Sequence, residues 1–274
     1  MYNEEIPYKE KTSESTRQMR QEYWEVAKGL QKVDGLLTSQ FLEAVAKEHI
    51  EGRYTSDEAL EHVRRYYNEA SKDYDRGERE ADEVSARMVR LLEKMTFKFS
   101  PVMLKSIHRE LFFGVLPDEY VGEWRTCNLT KEEAVLGGRS VQYGDWNSIQ
   151  DYLQYDFGEE RGYRYQYPFR DTDIQRFAQF ISGIWQTHPF REGNTRTTAM
   201  FIQLYAGSMG LKITNEPFRE NAMFFRNALV RSNFSDIPKG IYPDFSYLEA
   251  FFDNVFCNAG HDLSQMDLVC HALL

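Results

Sequence analysis

The sequence predicts an all-α protein carrying one small β element, and three observations predict it. Apolar residues recur at steps of three and four along most of the 274 residues. Capping residues and glycines punctuate those runs. Only one short stretch, bracketed by glycines, alternates as a pair of strands would. In residues 16–33, Met19, Tyr23, Val26, Ala27, Leu30 and Val33 line one helix face. A second helix is expected from Ser39 to Gly52, where glycine can take the left-handed exit. Thr55 and Glu58 form a capping box for a third. The run from Lys72 to Glu83 is nearly all charged and reads as a solvated joint. Helices follow over Val84–Met95 and over Pro101–Phe113, the latter with proline at its first position. Gly137, Gly138 and Gly144 mark the hairpin candidate within 123–148. Thr172 and Gln175 form a second capping box before a stripe from Ile174 to Trp185. The remaining helices are read from Asn194 to Gly207, Glu220 to Arg231 and Phe245 to Phe256.

Composition excludes several classes. A net charge of -10 gives no general attraction to phosphate backbones, so direct nucleic-acid binding is not expected. Three cysteines without CxxC spacing fit reduced thiols rather than a disulfide or zinc framework. No apolar window nears the roughly 18 residues of a membrane span, and the opening MYNEEIPYKEK is charged, so the chain reads as cytoplasmic. The expected division is a helical unit over 1–80, a catalytic domain over 81–256 and a tail over 257–274.

One segment is too polar to be a mere corner between helices: His188, Pro189, Phe190, Arg191, Glu192, Gly193, Asn194, Thr195 and Arg196. Gly193 and Asn194 tolerate positive φ, so backbone amides can converge at the start of the next helix, where the dipole also favours anions. Arg196 can fork onto phosphate oxygens. Glu192 is a hard-oxygen ligand suited to Mg²⁺, and His188 titrates in the range a general base needs.

This segment resembles the signature loop of Fic-domain proteins, H-x-F-x-[D/E]-G-N-G-R-x-x-R. His188, Phe190, Glu192, Gly193, Asn194 and Arg196 coincide with it, while Thr195 replaces a glycine and Ala199 the second arginine. Gly122-Glu123-Trp124-Arg125 and Phe225–Val230 resemble flanking segments of the same family, over about 95–256 in all. The resemblance implies a Fic-type helical core and transfer of AMP from Mg-ATP to a Tyr, Thr or Ser hydroxyl of a protein target, a nucleotidyltransferase activity. It makes His188 the base, Phe190 a core anchor and Glu192 the Mg²⁺ ligand. Gly193, Asn194, Thr195 and Arg196 become the phosphate cradle, with Asn233 on the adenine side. Arg191 lies in the cradle but has no role in the pattern. Gly138, Ser140, Val141, Gln142 and Gly144 would form a flap that pins the target by strand addition.

The amino-terminal unit resembles a fused antitoxin of the family, whose [S/T]-x-x-x-E-[G/N] glutamate enters the phosphate site. Here Leu30 replaces the hydroxyl and Asp34 the glutamate; Glu51-Gly52 is the competing placement. With Ala199 in place of the usual arginine partner, the unit is expected to pack on the domain and restrain it weakly. Auto-modification or self-inhibition is the implied self-interaction. Transfer of another nucleotide or phosphate group, removal of AMP, and a non-catalytic nucleotide-binding module are the alternatives.

Overall fold

The computed structural model describes residues 15–69 and 74–274. The charged opening residues and the start of the expected joint lie outside it. Eleven α-helices are described: α1 (Arg17–Gln31), α2 (Gln40–Ile50), α3 (Ser56–Asn68), α4 (Arg76–Lys94), α5 (Pro101–Phe112), α6 (Ile149–Gly162), α7 (Asp171–Thr187), α8 (Asn194–Ser208), α9 (Glu216–Glu220), α10 (Ala222–Asn233) and α11 (Ser246–Cys257). None is long and apolar enough to cross a membrane.

The centre is α8, buried on every side from Asn194 to Ala206, which is why its sequence lacks a polar stripe. Around it stand α5 and α7, with α10 and α11 against α7. Thr16, Ser39 and Thr55 cap α1, α2 and α3, the last with Glu58 in the expected box. The box before α7 is displaced from the expected pair: the Asp173 carboxylate accepts the Arg170 amide at 3.0 Å. The helix α6 carries no periodicity strong enough to read beforehand.

The boundary at 80/81 falls inside α4, which packs chiefly on α1 and α3. The charged run is therefore no solvated joint from Arg76 onward. Asp82 is fully buried because it accepts the Ser39 amide at 2.9 Å, the Ser39 hydroxyl at 2.5 Å and the Tyr67 hydroxyl at 2.7 Å. A buried carboxylate needs such donors, and these tie α4 to α2 and α3. The group α1–α4 thus packs together. It docks through α1 on α9: Gly29 lets the backbones meet, since a β-carbon there would lie 2.6 Å from the Arg219 carbonyl oxygen, and Glu25 pairs with Arg219 at 2.7 Å.

The hairpin reduces to one antiparallel bridge, Glu133 with Arg139, closed by Gly137 and Gly138 at positive φ. The 257–274 stretch is a strap rather than a loose tail. Leu263, Leu268 and Cys270 are buried, and the Cys270 amide donates to the Val135 carbonyl at 2.7 Å beneath the flap. The three cysteines are free thiols.

Candidate active site

At the end of α7, His188 has φ +48, a conformation that a β-carbon disfavours. It swings the imidazole off the helix. Arg125 holds this turn: its Nε donates to the His188 carbonyl at 2.7 Å, and its other nitrogens donate to the carbonyls of Thr187 at 3.2 Å, Cys127 at 2.6 Å and Gly144. A planar five-donor fork can serve several carbonyls at once, as an ammonium cannot.

The imidazole stacks on Tyr143, with centroids 3.9 Å apart and planes at 26°, and meets the edge of Trp185. Its Nδ1 lies 3.3 Å from the Trp185 carbonyl. A carbonyl only accepts, so Nδ1 carries the hydrogen and Nε2 keeps a bare lone pair. Burial, reinforced by the charges of Arg125, Lys131 and Arg226 against the pull of that carbonyl, holds His188 down to about 3. The ring is therefore neutral and proton-accepting at neutral pH.

After it the loop closes on itself. The Asn194 side chain accepts the Phe190 amide at 2.9 Å and returns a hydrogen bond to the Phe190 carbonyl at 2.8 Å, so it braces the loop. Gly193 sits at φ +70 against Phe112, whose ring would lie 2.4 Å from any added β-carbon. Thr195 turns its hydroxyl away to accept the Trp185 indole N–H at 3.1 Å, which accommodates threonine where the pattern has glycine. The amides of Gly193, Asn194, Thr195 and Arg196 donate to no acceptor among the described residues. They are the unfilled donors of a helix start, an anion site.

The exposed Glu192 carboxylate makes no hydrogen bond or ion pair among the described residues, and no cluster of three metal-ligating side chains occurs among them. A magnesium ion held mostly by phosphate and water requires only one such carboxylate. Arg191 reaches the Cys127 sulfur at 2.9 Å and lies over Tyr120, an arrangement of the rim rather than the cradle.

One residue that motif spacing does not single out, His108, completes the loop. His108, fully buried on α5, accepts the Gly122 amide on Nδ1 at 2.9 Å and therefore donates from Nε2 to the Glu192 carbonyl at 3.1 Å. Its ring also stacks on Phe190 at 4.0 Å. Burial, with help from Arg196 and opposed by the Glu192 carbonyl, holds it down to about 4. The folded forms of His108 and His188 thus bind protons less readily than the unfolded chain, whose histidines titrate near their ordinary value. Their contribution to stability is present above about pH 6.5 and is lost as pH falls toward 4 and 3; Asp156, pushed up to about 6 by burial, acts in the opposite sense. His108→Gln should flatten the fall of Tm between pH 6.5 and 4.5 relative to the unaltered chain, measured by calorimetric melts; an unchanged slope would contradict the neutral, loop-bracing role.

Arg196 is 1% exposed and engaged from three directions. Its Nε is 2.7 Å from Asp34, its terminal nitrogens donate to Glu80 at 2.7 Å and Gln31 at 3.1 Å, and its guanidinium lies over the Phe112 ring. Asp34 ends a 3-10 turn before Gly35, at φ +71. Thus Asp34 does have an arginine partner, the first of the motif instead of the one replaced by Ala199, and it shares that partner with Glu80 of α4. Glu51 pairs instead with Arg17 at 2.8 Å, at the exposed end of α2.

His188, Glu192, Gly193, Asn194, Thr195 and Asp34 line one cavity of about 600 Å³, together with Lys131, Arg191 and Arg226. A neighbouring groove of about 920 Å³ runs along Ser140, Val141, Gln142 and Gly144 and shares Leu129, Thr130 and Tyr143 with the cavity. Asn233 falls in that groove, its side chain bound to the Leu229 carbonyl at 2.8 Å, and it is not brought to the phosphate loop. Gly138 lies at the flap turn and lines neither space.

Residues 98–206 match the Fic/DOC family. The Fic/DOC stretch holds Arg125, His108, the flap and the whole loop; Asp34, Glu80, Arg226 and Asn233 lie outside it. Among solved structures, the chain is similar to the N-terminal FIC domain of Bep8, a VirB-translocated effector protein from Bartonella sp. 1-1C, at 18% identity over 63% of this chain and 81% of that one, with a TM-score of 0.46. It is also similar to BepC, a VirB-translocated effector protein from Bartonella tribocorum with bound AMPPNP, at 17% identity over 65% and 84%, with a TM-score of 0.49. No curated protein matches.

Proposed function

We propose that the chain is a protein adenylyltransferase that moves AMP from Mg-ATP to a Ser, Thr or Tyr hydroxyl of a target protein, and that its amino-terminal unit restrains it. The observation that carries this reading is a neutral His188, with Nε2 unoccupied, in one cavity with the unengaged amides of Gly193, Asn194 and Thr195 and the free Glu192 carboxylate. Nε2 takes the proton of the target hydroxyl. The oxygen attacks the α-phosphorus, the bond to the β-phosphate oxygen breaks, and pyrophosphate leaves as the phosphodiester to the target forms. Amides 193–196 hold the phosphate oxygens where charge develops. Glu192 would hold Mg²⁺, which neutralises phosphate charge when bound. Lys131 adds positive charge to the same cavity, whereas Arg226 there is paired with Glu133 at 2.7 Å.

Asp34 and Glu80 support the regulatory half of the proposal. Two carboxylates from the amino-terminal unit already occupy the arginine fork that a phosphate would need. Restraint then follows from competition for one guanidinium. ATP labelled at the α-phosphate, incubated with the full chain, Mg²⁺ and a cell lysate, should label protein, whereas ATP labelled at the γ-phosphate should not. Transfer of the γ-label instead would mean phosphoryl transfer, and nucleotide binding without any label would mean a binding module.

A further inference from the structure

We propose that residues 222–273 are a positioning brace for the base His188: they bolt down the Glu133–Arg139 hairpin, which in turn holds the Tyr143 ring against the imidazole. The inference rests on the transfer reading and adds positioning residues to it. Three ties carry it, and the partners in all three lie beyond the 98–206 stretch that matches the family.

The hairpin has little to hold itself with. Its two limbs share one bridge, and even a full two-stranded hairpin is marginal in water unless it packs on something else. Its turn is nonetheless buried at Val135 and Leu136. Arg226 of α10 reaches the bridge and grips both oxygens of Glu133, at 2.7 and 2.9 Å. Such a fork fixes orientation as well as distance. On the other limb, Arg139 pairs with Asp236 of the loop after α10. Beneath the turn, the Cys270 amide donates to the Val135 carbonyl at 2.7 Å. The strap that presents this amide is itself fixed. Arg231 donates to the Leu268 carbonyl at 2.8 Å, and the Tyr247 hydroxyl donates to the Asp267 carbonyl at 2.7 Å.

The brace reaches the chemistry through Tyr143. Backbone bonds hold one end of that residue: the Gly144 amide donates to the Gln186 carbonyl at 3.0 Å, and Arg125 donates to the Gly144 carbonyl. The buried hydroxyl at the other end has no hydrogen-bond partner among the described residues. Burial, and after it the Glu133 charge, push this hydroxyl up from its ordinary value, so it is a neutral phenol within the field of the braced carboxylate. Between these two ends the ring lies 3.9 Å from the imidazole. A shift of the Glu133 limb therefore reaches the base through a single residue. Arg226 also lines the cavity, and its charge bears on His188 directly. Cys270 lines neither the cavity nor the groove and acts by its backbone amide, so it isolates the brace from electrostatics.

The test cuts the strap tie in the full chain. Cys270→Pro removes the amide that serves Val135, and the φ of -84 there is close to the value proline fixes. Cys270→Ala removes the thiol and keeps the amide. Labelling from the α-phosphate should fall at least about tenfold in Cys270→Pro and stay within about twofold in Cys270→Ala, because small misplacements of a reacting group are costly. Mg-ATP affinity, measured by calorimetry, should be unchanged in both. The imidazole faces Tyr143, the Trp185 carbonyl, Arg125, Lys131 and Arg226, and a loosened ring opens it to water. Its titration, followed by NMR of ¹⁵N-labelled histidine, should rise from about 3 toward the ordinary range near 6.5 in Cys270→Pro alone. A strap with only a structural role would lower Tm and leave that titration in place. Asp236→Asn, which releases the outer Arg139 tie, should move both readouts in the same direction by less, and it decides the matter if the proline variant does not fold. Unchanged labelling in Cys270→Pro, or a loss matched by lost Mg-ATP binding, overturns the brace. Should the unaltered chain label no protein, the transfer reading fails by itself. The NMR titration then still decides the brace, and a His188 that titrates alike with and without the tie overturns it.

Discussion

His188→Ala is expected to slow labelling from the α-phosphate by roughly 10²–10⁴-fold, the range a positioned general base supplies, with ATP affinity retained. The expectation rests on a division of labour within the corner. Triphosphate contacts belong to the amides after Gly193 and to Arg196, whereas His188 is oriented by the Trp185 carbonyl and the Tyr143 ring and would touch only the hydroxyl. An interaction made only in the transition state lowers turnover without weakening binding. His188→Asn, which preserves a polar planar group but cannot accept the proton usefully, should be equally inactive. Because the imidazole is held down to about 3, labelling should not fall through the usual histidine range near pH 6.5. Loss of ATP binding in His188→Ala, measured by calorimetry, would contradict this assignment.

Release of Arg196 is the second large effect. Replacing Asp34 and Glu80 together by alanine should raise labelling by about 5–150-fold, the range of an ordinary coupling free energy between sites. A single replacement should give less, since the remaining carboxylate still holds the guanidinium. The double variant leaves a charge buried without its partners, so it should melt at a lower temperature without nucleotide and regain more of that stability on adding Mg-ATP than the unaltered chain does. Labelling and calorimetric melts check both halves. Unchanged labelling with unchanged nucleotide stabilisation would assign the two carboxylates a structural role only.

The loop was legible in the sequence because its chemistry is local. Nine consecutive residues contain histidine, carboxylate, glycine and arginine, and the turn that gathers them depends on their own φ preferences and a helix start. The helical periods were legible for the same reason. What could not be read was whatever the tertiary fold brings from afar. His108 reaches Glu192 across 84 positions, and Glu80 reaches Arg196 across 116. Neither pairing leaves a mark in spacing. The charged run containing Glu80 and Asp82 resembled a solvated joint because sequence cannot distinguish carboxylates facing water from those buried by a serine, a tyrosine or an arginine. Asp34 is legible as a helix-ending residue before Gly35 and as a candidate restraint, but the family pattern points to position 199 for its partner. Arg196 lies one turn of α8 earlier, beside the phosphate amides. Tyr143 lay within the expected flap without a role, and only the fold places its ring on His188.

The most direct measurement of the central claim is a crystal structure of the full chain grown with Mg²⁺ and a non-hydrolysable ATP analogue. The account predicts triphosphate oxygens on the amides of Gly193–Arg196, the metal against Glu192, the α-phosphorus facing Nε2 of His188, and the Arg196 fork drawn from Asp34 toward phosphate. An analogue bound elsewhere, with Asp34 still on Arg196 and the loop amides facing only solvent, would contradict it.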